Sequence, residues 1–204
     1  MKVFFMQIYT VPAGMLRANS YIVTENGTDA VLIDCGGAQP LAFARQKGLN
    51  IRSVLLTHGH FDHIAGCAEL QAAGAQIGCA EAEKSLITSP ANLAAEMGDR
   101  IPAFSVDFTF QDGDELGLCG LKFTVLATPG HTPGGVCFLC GDSLFTGDTL
   151  FCESVGRTDF PGGSTSQLRE SVKKLLALPG NLTVYPGHDE PTTLEHERMF
   201  NPFV

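Results

Sequence analysis

A cluster of histidines directly after an apolar run is the feature that most limits how this chain can fold. The segment LLTHGHFDHIAG covers residues 55–66. Its first part is typical of a buried strand, and the residues that follow favour a short helix. Between them lie four side chains of types that bind zinc and similar divalent metals: His58, His60, Asp62 and His63. In α/β sheets, such turns at the carboxyl ends of strands are where ligands bind.

The same arrangement recurs three more times along the chain. His131 in TPGHTPGG and His188 in VYPGHDE each follow an apolar strand and a Pro-Gly turn, and Asp148 in LFTGDTL follows another predicted strand. Because strand ends of one sheet converge, we expect these turns to surround one point. A catalytic zinc takes three protein ligands, so five histidines and two aspartates suffice for two metals. The sixth histidine, His196 in LEHER, is expected to lie outside this group.

The order of strand and helix patterns predicts a layered α/β domain that spans residues 1–204. Residues 21–24 and 30–33 are predicted to pair as a hairpin around an Asn-Gly turn. The clearest helix is STSQLRESVKKLLALPG, which Ser164 or Thr165 can cap. Residues 88–108 contain few strand signals, and we interpret them as an excursion over the site or as an ordinary surface loop.

Charge and composition restrict the partners of the chain. Its formal charge is −9, from 22 acidic and 13 basic residues, and no cluster of Lys and Arg stands out. Nucleic acid and anionic membranes are therefore not expected as partners, because binding phosphate groups needs concentrated positive charge. We expect a small-molecule substrate instead. The sequence does not indicate an oligomeric state.

The N-terminus and the cysteines indicate the cellular compartment. MKVFFMQIYTVPAG, residues 1–14, has no long apolar stretch and no cleavage site, so we interpret it as a first strand and not as a signal peptide. The seven cysteines are an odd and scattered set, which favours free buried thiols. Cys137 and Cys140 match C-x-x-C but lie in a strand pattern without a second pair. A cytoplasmic protein is expected.

Taken in order, the segments THGHFDH, PGHTPG, FTGD and PGHD resemble the signature of the metallo-β-lactamase superfamily, and LIDCGG with Asp34 resembles its first motif. The resemblance spans nearly the whole chain. It implies a four-layer αββα sandwich with the site at one edge of the two sheets.

The resemblance also implies two divalent metal ions, zinc first among them and iron or manganese as alternatives. The implied ligands are three residues for one metal, three for the other and one bridge between them: His58, His60 and His131; Asp62, His63 and His188; and Asp148. Asp62 is also implied as the catalytic group that orients the attacking hydroxide. Asp34 would orient the ligand turn, or would be an ordinary aspartate in a tight turn.

Further segments indicate the branch of the superfamily. Asp148 argues against a β-lactamase, because those enzymes differ at the bridging position. VGRTDFPGGS and PTTLEHERMFNPF are similar to the compact branch of glyoxalase-II-like hydroxyacylglutathione hydrolases. Larger members carry a C-terminal helical domain that binds glutathione. We expect this domain to be absent here, since the chain ends at Val204, and this leaves glutathione specificity open.

The function implied by this branch is hydrolysis of thioesters such as S-D-lactoylglutathione by a hydroxide that bridges two metals. Arg157 would contact the carboxylate or peptide portion of the substrate, or would pair with an acidic residue such as Asp159. GRTDF is also similar to a segment of persulfide dioxygenases, which use a single iron. The two histidines and the aspartate that hold this iron would correspond to His58, His131 and Asp148 here. A metal-binding protein of this fold without turnover is the other alternative.

Overall fold

Two six-stranded sheets form the centre of the fold. The computed structural model describes residues 6–203, so the first five residues of the predicted N-terminal strand lie outside the described part. The first sheet consists, in chain order and also in spatial order, of β1 (Gln7–Ala13), β2 (Ala18–Thr24), β3 (Asp29–Ile33), β4 (Asn50–Leu55), β5 (Gln76–Ala80) and β6 (Phe108–Phe110). Strands β1 to β3 pair antiparallel, whereas β3 to β6 run parallel. The predicted hairpin of residues 21–24 and 30–33 is confirmed as part of β2 and β3.

The second half of the chain builds the other sheet and a small ribbon. Its strands are β7 (Glu115–Leu118), β8 (Leu121–Ala127), β9 (Val136–Cys140), β10 (Ser143–Gly147), the ribbon strands β11 (Leu150–Phe151) and β12 (Ser154–Val155), β13 (Thr183–Pro186) and β14 (Thr192–Thr193). The spatial order in the sheet is β14-β13-β10-β9-β8-β7. Strand β13 runs parallel to β10, and the other pairs of this sheet are antiparallel. Strands β8, β10 and β13 therefore all end at the same edge.

Six helices complete the architecture of the described part of the chain. They are α1 (Gln39–Lys47), α2 (Phe61–Ile64), α3 (Cys67–Ala72), α4 (Lys84–Ile87), α5 (Thr165–Leu176) and α6 (Leu194–Phe200). Two 3-10 turns lie at Glu81–Glu83 and Pro90–Asn92. The hydroxyl of Ser164 caps α5 by accepting a hydrogen bond from the backbone N–H of Gln167, as the sequence predicts. No helix within residues 6–203 combines the length and the apolar character needed to cross a membrane.

The core is divided into three apolar layers. The division arises because successive side chains of a strand point to opposite faces of the sheet. In β3, Leu32 packs toward the layer below α1 and α3, whereas Val31 and Ile33 face the second sheet. Successive side chains of a strand point to opposite faces, so a strand covered on both sides is apolar throughout. A third layer, in which Leu144 and Val184 take part, lies under α5 and α6. The fold is a four-layer αββα sandwich, as the resemblance implies.

The cysteines take part in this packing. Within the described residues all seven are free thiols, and none forms a disulfide. Five are buried and two are partly exposed: Cys35, Cys67, Cys79, Cys137 and Cys140; and Cys119 and Cys152. The prediction of free buried thiols is confirmed for the first five.

Candidate metal centre

The predicted ligand turns meet at one edge of the two sheets. The end of β4 leads to His58 and His60, and α2 then carries Asp62 and His63. The turns after β8, β10 and β13 carry His131, Asp148 and His188. Parallel pairing of β10 with β13 brings two of these ends together, and β8 runs in the same direction. Four sequence-distant turns therefore surround one point, and three of them do so because their strands share a direction.

Three histidines form the first ligand group, which we call the three-histidine group: His58, His60 and His131. One ligand atom from each lies within 4.8 Å of the others. Nδ1 of His60 is 2.9 Å from Nε2 of His131. Burial lowers the pKa of His60 to about 3 and holds the pKa of His58 well below its usual value. Both rings are therefore neutral near pH 7, and their lone pairs are available to a cation.

The second ligand group contains a carboxylate, and we call it the mixed group: Asp62, His63 and His188. Its ligand atoms also lie within 4.8 Å of one another, and Oδ2 of Asp62 is 3.3 Å from Nε2 of His188. Burial lowers the pKa of His63, but the carboxylates of Asp148, Asp62 and Asp34 more than offset it and raise that pKa well above its usual value. Burial also acts to lower the pKa of His188, and Asp62 outweighs it. This half of the site attracts positive charge.

Asp148 lies between the two groups. Its Oδ1 is 3.4 Å from Nε2 of His63, and its Oδ2 is 3.5 Å from Nε2 of His131 and 3.6 Å from Nε2 of His188. Burial raises the pKa of this carboxyl, but His63 and the other histidines outweigh burial and hold the pKa well below its usual value. Asp148 is therefore an anion that faces both groups.

Buried polar atoms without partners test whether the site fits metal ions. Nε2 of His58, Nε2 of His63 and Oδ1 of Asp148 are buried, and none has a hydrogen-bond partner in the described part of the chain. Leaving such groups unpaired is costly, so native structures nearly always satisfy them. Cations at the centres of the two groups would satisfy all three atoms. The set of histidine nitrogens and carboxylate oxygens suits zinc and similar ions, and the residues fit two of them.

Hydrogen bonds on the outer nitrogens turn the metal-facing nitrogens inward. Nδ1 of His131 donates to the backbone carbonyl of Arg157 at 2.7 Å, which leaves Nε2 as an acceptor. Nδ1 of His63 is 2.8 Å from Oδ2 of Asp34. The same carboxylate accepts hydrogen bonds from the backbone N–H and the hydroxyl of Thr57. Asp34 thus orients the ligand turn, as the resemblance implies, because such bonds fix the ring orientation of a metal-binding histidine.

The turn that carries His188 is held by the first sheet. The backbone N–H of Asn19 donates to the carbonyl of Gly187 at 2.7 Å. The side-chain amide of Asn19 donates to the carbonyl of Pro186 at 3.1 Å, and the hydroxyl of Tyr21 donates to the same oxygen at 2.6 Å. Only glycine fits at position 187, since a Cβ atom there would overlap Oδ1 of Asp148.

Glu83 is a residue of the site that the sequence does not reveal. It is 1% exposed and accepts hydrogen bonds from the backbone N–H of Gly59 at 3.0 Å and of Gly134 at 2.8 Å. Gly59 separates His58 from His60, and Gly134 lies three residues after His131. One buried carboxylate therefore joins the two turns of the three-histidine group. Its sequence context, AEAEKS, has the polar character of an exposed helix and gives no signal for this role.

Arg157 lines the cavity above the metal centre but already has a partner. Its Nε and Nη2 donate to the two carboxylate oxygens of Asp159 at 2.7 and 2.6 Å. The guanidinium also lies 4.0 Å from the centre of the Phe160 ring. The structure therefore contains the predicted pair with Asp159, and contact of Arg157 with a substrate stays a prediction. His196 bonds Glu153 at 2.9 Å and does not belong to either ligand group.

Comparison with known proteins agrees with this geometry. Residues 13–188 match the family model described as Metallo-beta-lactamase superfamily. The chain belongs to this superfamily. Hydroxyacylglutathione hydrolase GloC of Haemophilus influenzae is 37% identical over 208 residues, which cover 98% of each chain. The chain therefore belongs to a superfamily of metallo-hydrolases.

Two solved structures of superfamily members place the fold among known ones. BLEG-1, a B3 metallo-beta-lactamase, superposes with a TM-score of 0.90 at 32% identity and covers 97% of this chain and 99% of its own. TTHA1623 in a di-iron-bound form gives a TM-score of 0.86 at 38% identity and covers 96% and 100%. The sequence predicted that Asp148 argues against β-lactam hydrolysis. The likeness to BLEG-1 does not support this prediction.

Proposed function

We propose that this protein is a thioester hydrolase that uses two divalent metal ions, zinc in the first place, and that acts on thioesters such as S-D-lactoylglutathione. The observation that carries the proposal is the position of Asp148, whose carboxylate faces the three-histidine group and the carboxylate-containing mixed group at once. The relative GloC, named a hydroxyacylglutathione hydrolase, supports the choice of substrate. When bound, two divalent metals lower the pKa of a shared water and polarise a carbonyl oxygen.

The residues of the chain contribute positioning and charge. The ligand residues hold the metals, and the anionic Asp148 offsets the repulsion between two cations. Burial raises the pKa of Asp62, but His63 and His188 outweigh burial and lower it, so this group is a carboxylate near pH 7. As an acceptor beside His188, Asp62 orients the attacking water toward the thioester carbonyl. A thiolate leaves readily, since an ordinary thiol has a pKa of about 8.5, so no separate general acid is needed.

Two other activities are alternatives. A persulfide dioxygenase with one iron would use His58, His131 and Asp148. The ligand atoms of the mixed group would then bind no metal. The likeness to BLEG-1 favours β-lactam hydrolysis as a second candidate. Both metal groups are complete in this chain, which favours a hydrolase over the single-iron enzyme.

The deciding experiment measures metal content and activity on the same sample. The protein is purified without chelators, its metals are quantified, and it is assayed with S-D-lactoylglutathione, with a chromogenic β-lactam and, for oxygen uptake, with glutathione persulfide. We expect close to two metal ions per chain and thioester hydrolysis. One iron with persulfide-dependent oxygen uptake would replace the proposal with the dioxygenase, and β-lactam hydrolysis alone would replace it with a lactamase. Two bound metals without any turnover would leave a metal-binding protein.

A further inference from the structure

The cavity above the metal centre has predominantly apolar walls. It encloses about 620 Å³, and five of the seven predicted metal ligands line it. Its walls are formed by side chains that come from five separate parts of the chain: Leu16, Phe61, Leu93, Met97, Phe151 and Phe160. Ligand sites in proteins are mostly apolar, with a few polar groups that fix orientation. Here the metal centre is that polar part, so the walls determine which groups can flank the reacting carbonyl.

Aromatic rings border both metal groups. The ring of Phe160 lies 5.6 Å from the ring of His60, on the side of the three-histidine group. The ring of Phe151 lies 6.1 Å from the ring of His188, on the side of the mixed group. A thioester whose carbonyl lies at the metal centre therefore meets an apolar surface on either side.

Within residues 6–203, the cavity offers no unpaired positive side chain to a charged substrate. Apart from the metal ligands, the charged residues that line it within the described chain are Glu96 and Arg157. The guanidinium of Arg157 is paired at two atoms with Asp159, and Phe160 covers one of its faces. The remaining charge on the wall is the negative carboxylate of Glu96. Glutathione carries two carboxylates, and bringing them here without a cationic partner is unfavourable.

Apolar side chains at the mouth of the cavity remain in contact with water. Leu16 and Met97 are each 44% exposed. Met97 belongs to the 88–108 segment, which is anchored where Leu93 and Ala94 pack on Phe61. The segment is thus an excursion over the site, one of the two interpretations that the sequence left open. A substrate that covers Leu16 and Met97 gains the free energy of removing apolar surface from water.

From these observations we infer that the preferred substrates are thioesters with an apolar acyl chain on a small uncharged thiol, and that the glutathione peptide is not what the cavity recognises. The inference rests on the proposed thioester hydrolysis and names its substrate class. Residues Met97, Leu16 and Phe160 determine the specificity, because they supply apolar surface beyond the reach of the metal ligands.

A chain-length series tests the inference. Acetyl, butyryl, hexanoyl and octanoyl thioesters of N-acetylcysteamine are compared with S-D-lactoylglutathione on the metal-loaded protein. We expect kcat/KM to rise about two- to fourfold for each added methylene, as for methylenes buried in an apolar site, and the octanoyl ester to exceed lactoylglutathione. A flat series, with lactoylglutathione as the best substrate, would overturn the inference and leave the proposed hydrolase intact.

A pair of methionine variants locates the effect in the cavity. Met97→Glu places a second carboxylate in the wall, whereas Met199→Glu makes the same change at a residue that is 63% exposed on α6 and does not line the cavity. Met97→Glu should flatten the chain-length series, because it should reduce kcat/KM at least tenfold for the octanoyl ester and by a smaller factor for the acetyl ester. Met199→Glu should match the unmodified protein. Equal chain-length dependence in all three proteins would contradict the inference that the acyl chain binds against the cavity wall at Met97.

A binding measurement separates this inference from the proposed function. The S-octyl thioether of N-acetylcysteamine cannot be hydrolysed, and its binding can be followed by calorimetry on metal-loaded protein. We expect it to bind, with an affinity that Met97→Glu lowers at least tenfold. If no thioester is turned over but this binding pattern holds, the hydrolase proposal fails and the apolar site stands. Absence of binding would overturn the apolar site, whatever the enzyme hydrolyses.

Discussion

The three-histidine group and the mixed group lie side by side but offer a cation different surroundings. The first contains only imidazoles, which are 2 to 5% exposed, and burial lowers the pKa of two of them. The second includes a carboxylate, and its His188 keeps 24% of its side chain exposed. One half of the site therefore offers a cation only buried imidazole nitrogens, whereas the other also offers negative charge and is more exposed to solvent.

Their supports differ as well. Glu83 joins the two turns of the three-histidine group through backbone hydrogen bonds. The mixed group depends on Asp34, which orients His63, and on Asn19 and Tyr21, which hold the turn of His188. Each half can therefore be perturbed with little direct change to the other. The exceptions are Asp148, which faces both groups, and Asp34, which also accepts hydrogen bonds from Thr57 beside His58.

The largest effect is expected from Asp148→Asn, because it removes the charge shared by the two groups while keeping the shape of the side chain. We expect kcat to fall at least a hundredfold, about 2.7 kcal/mol in barrier, with an unchanged circular dichroism spectrum. Asp142→Asn is the matched control, since Asp142 is exposed at the other end of β10. Activity within about threefold of the unmodified protein, or ~0.7 kcal/mol, would show that Asp148 does not bridge.

Removing one histidine from each group should separate the two metals. His188→Ala should lose mainly one metal ion after dialysis, since the three-histidine group stays complete, and His58→Ala should lose the other. Metal analysis of both variants measures this, with Asp142→Asn as the control because Asp142 is exposed and belongs to neither group. If the unmodified protein and His188→Ala both held a single ion, the two-metal centre would be refuted.

A smaller effect is expected from Glu83→Gln. A glutamine keeps one carbonyl oxygen as an acceptor, but its amide group faces the second backbone N–H, so one of the two bonds to Gly59 and Gly134 is lost. Loss of a residue that orients metal ligands typically lowers metal affinity 10- to 100-fold. We expect about tenfold weaker zinc binding at the three-histidine group in a chelator competition and little change at the mixed group.

The matched control for this variant is Glu81→Gln. Glu81 lies in the same 3-10 turn as Glu83, but its side chain is exposed. It should bind zinc like the unmodified protein. Equal zinc affinity of Glu83→Gln and Glu81→Gln would show that Glu83 does not position the ligands.

The ligand turns could be predicted from the sequence because each is specified by a short pattern of neighbouring residues. An apolar run followed by Gly and a ligand residue indicates a strand end wherever it occurs, and strands that share a direction bring such ends together. The layered fold and the cap at Ser164 follow from equally local patterns. Glu83 could not be found in this way, since its partners Gly59 and Gly134 lie 24 and 51 positions away.

The cavity walls were also beyond local reasoning. Met97 and Phe151 give ordinary apolar signals, and only the tertiary structure places them over the metal centre. The sequence left two interpretations of Arg157, as a partner of an acidic residue or as a substrate contact. The structure shows the pair with Asp159, because the conformation of a surface loop decides which acid the guanidinium meets.

The hydrogen bonds from Asn19 and Tyr21 to the turn of His188 also impose an order of events during biosynthesis. They join residues 165 to 170 positions apart, so they form only when nearly the whole chain has left the ribosome. Domains generally fold as units, and His188 is made after His58, His60 and His131. The mixed group can therefore be completed only after the segment that contains His188 has been synthesised and has reached Asn19 and Tyr21.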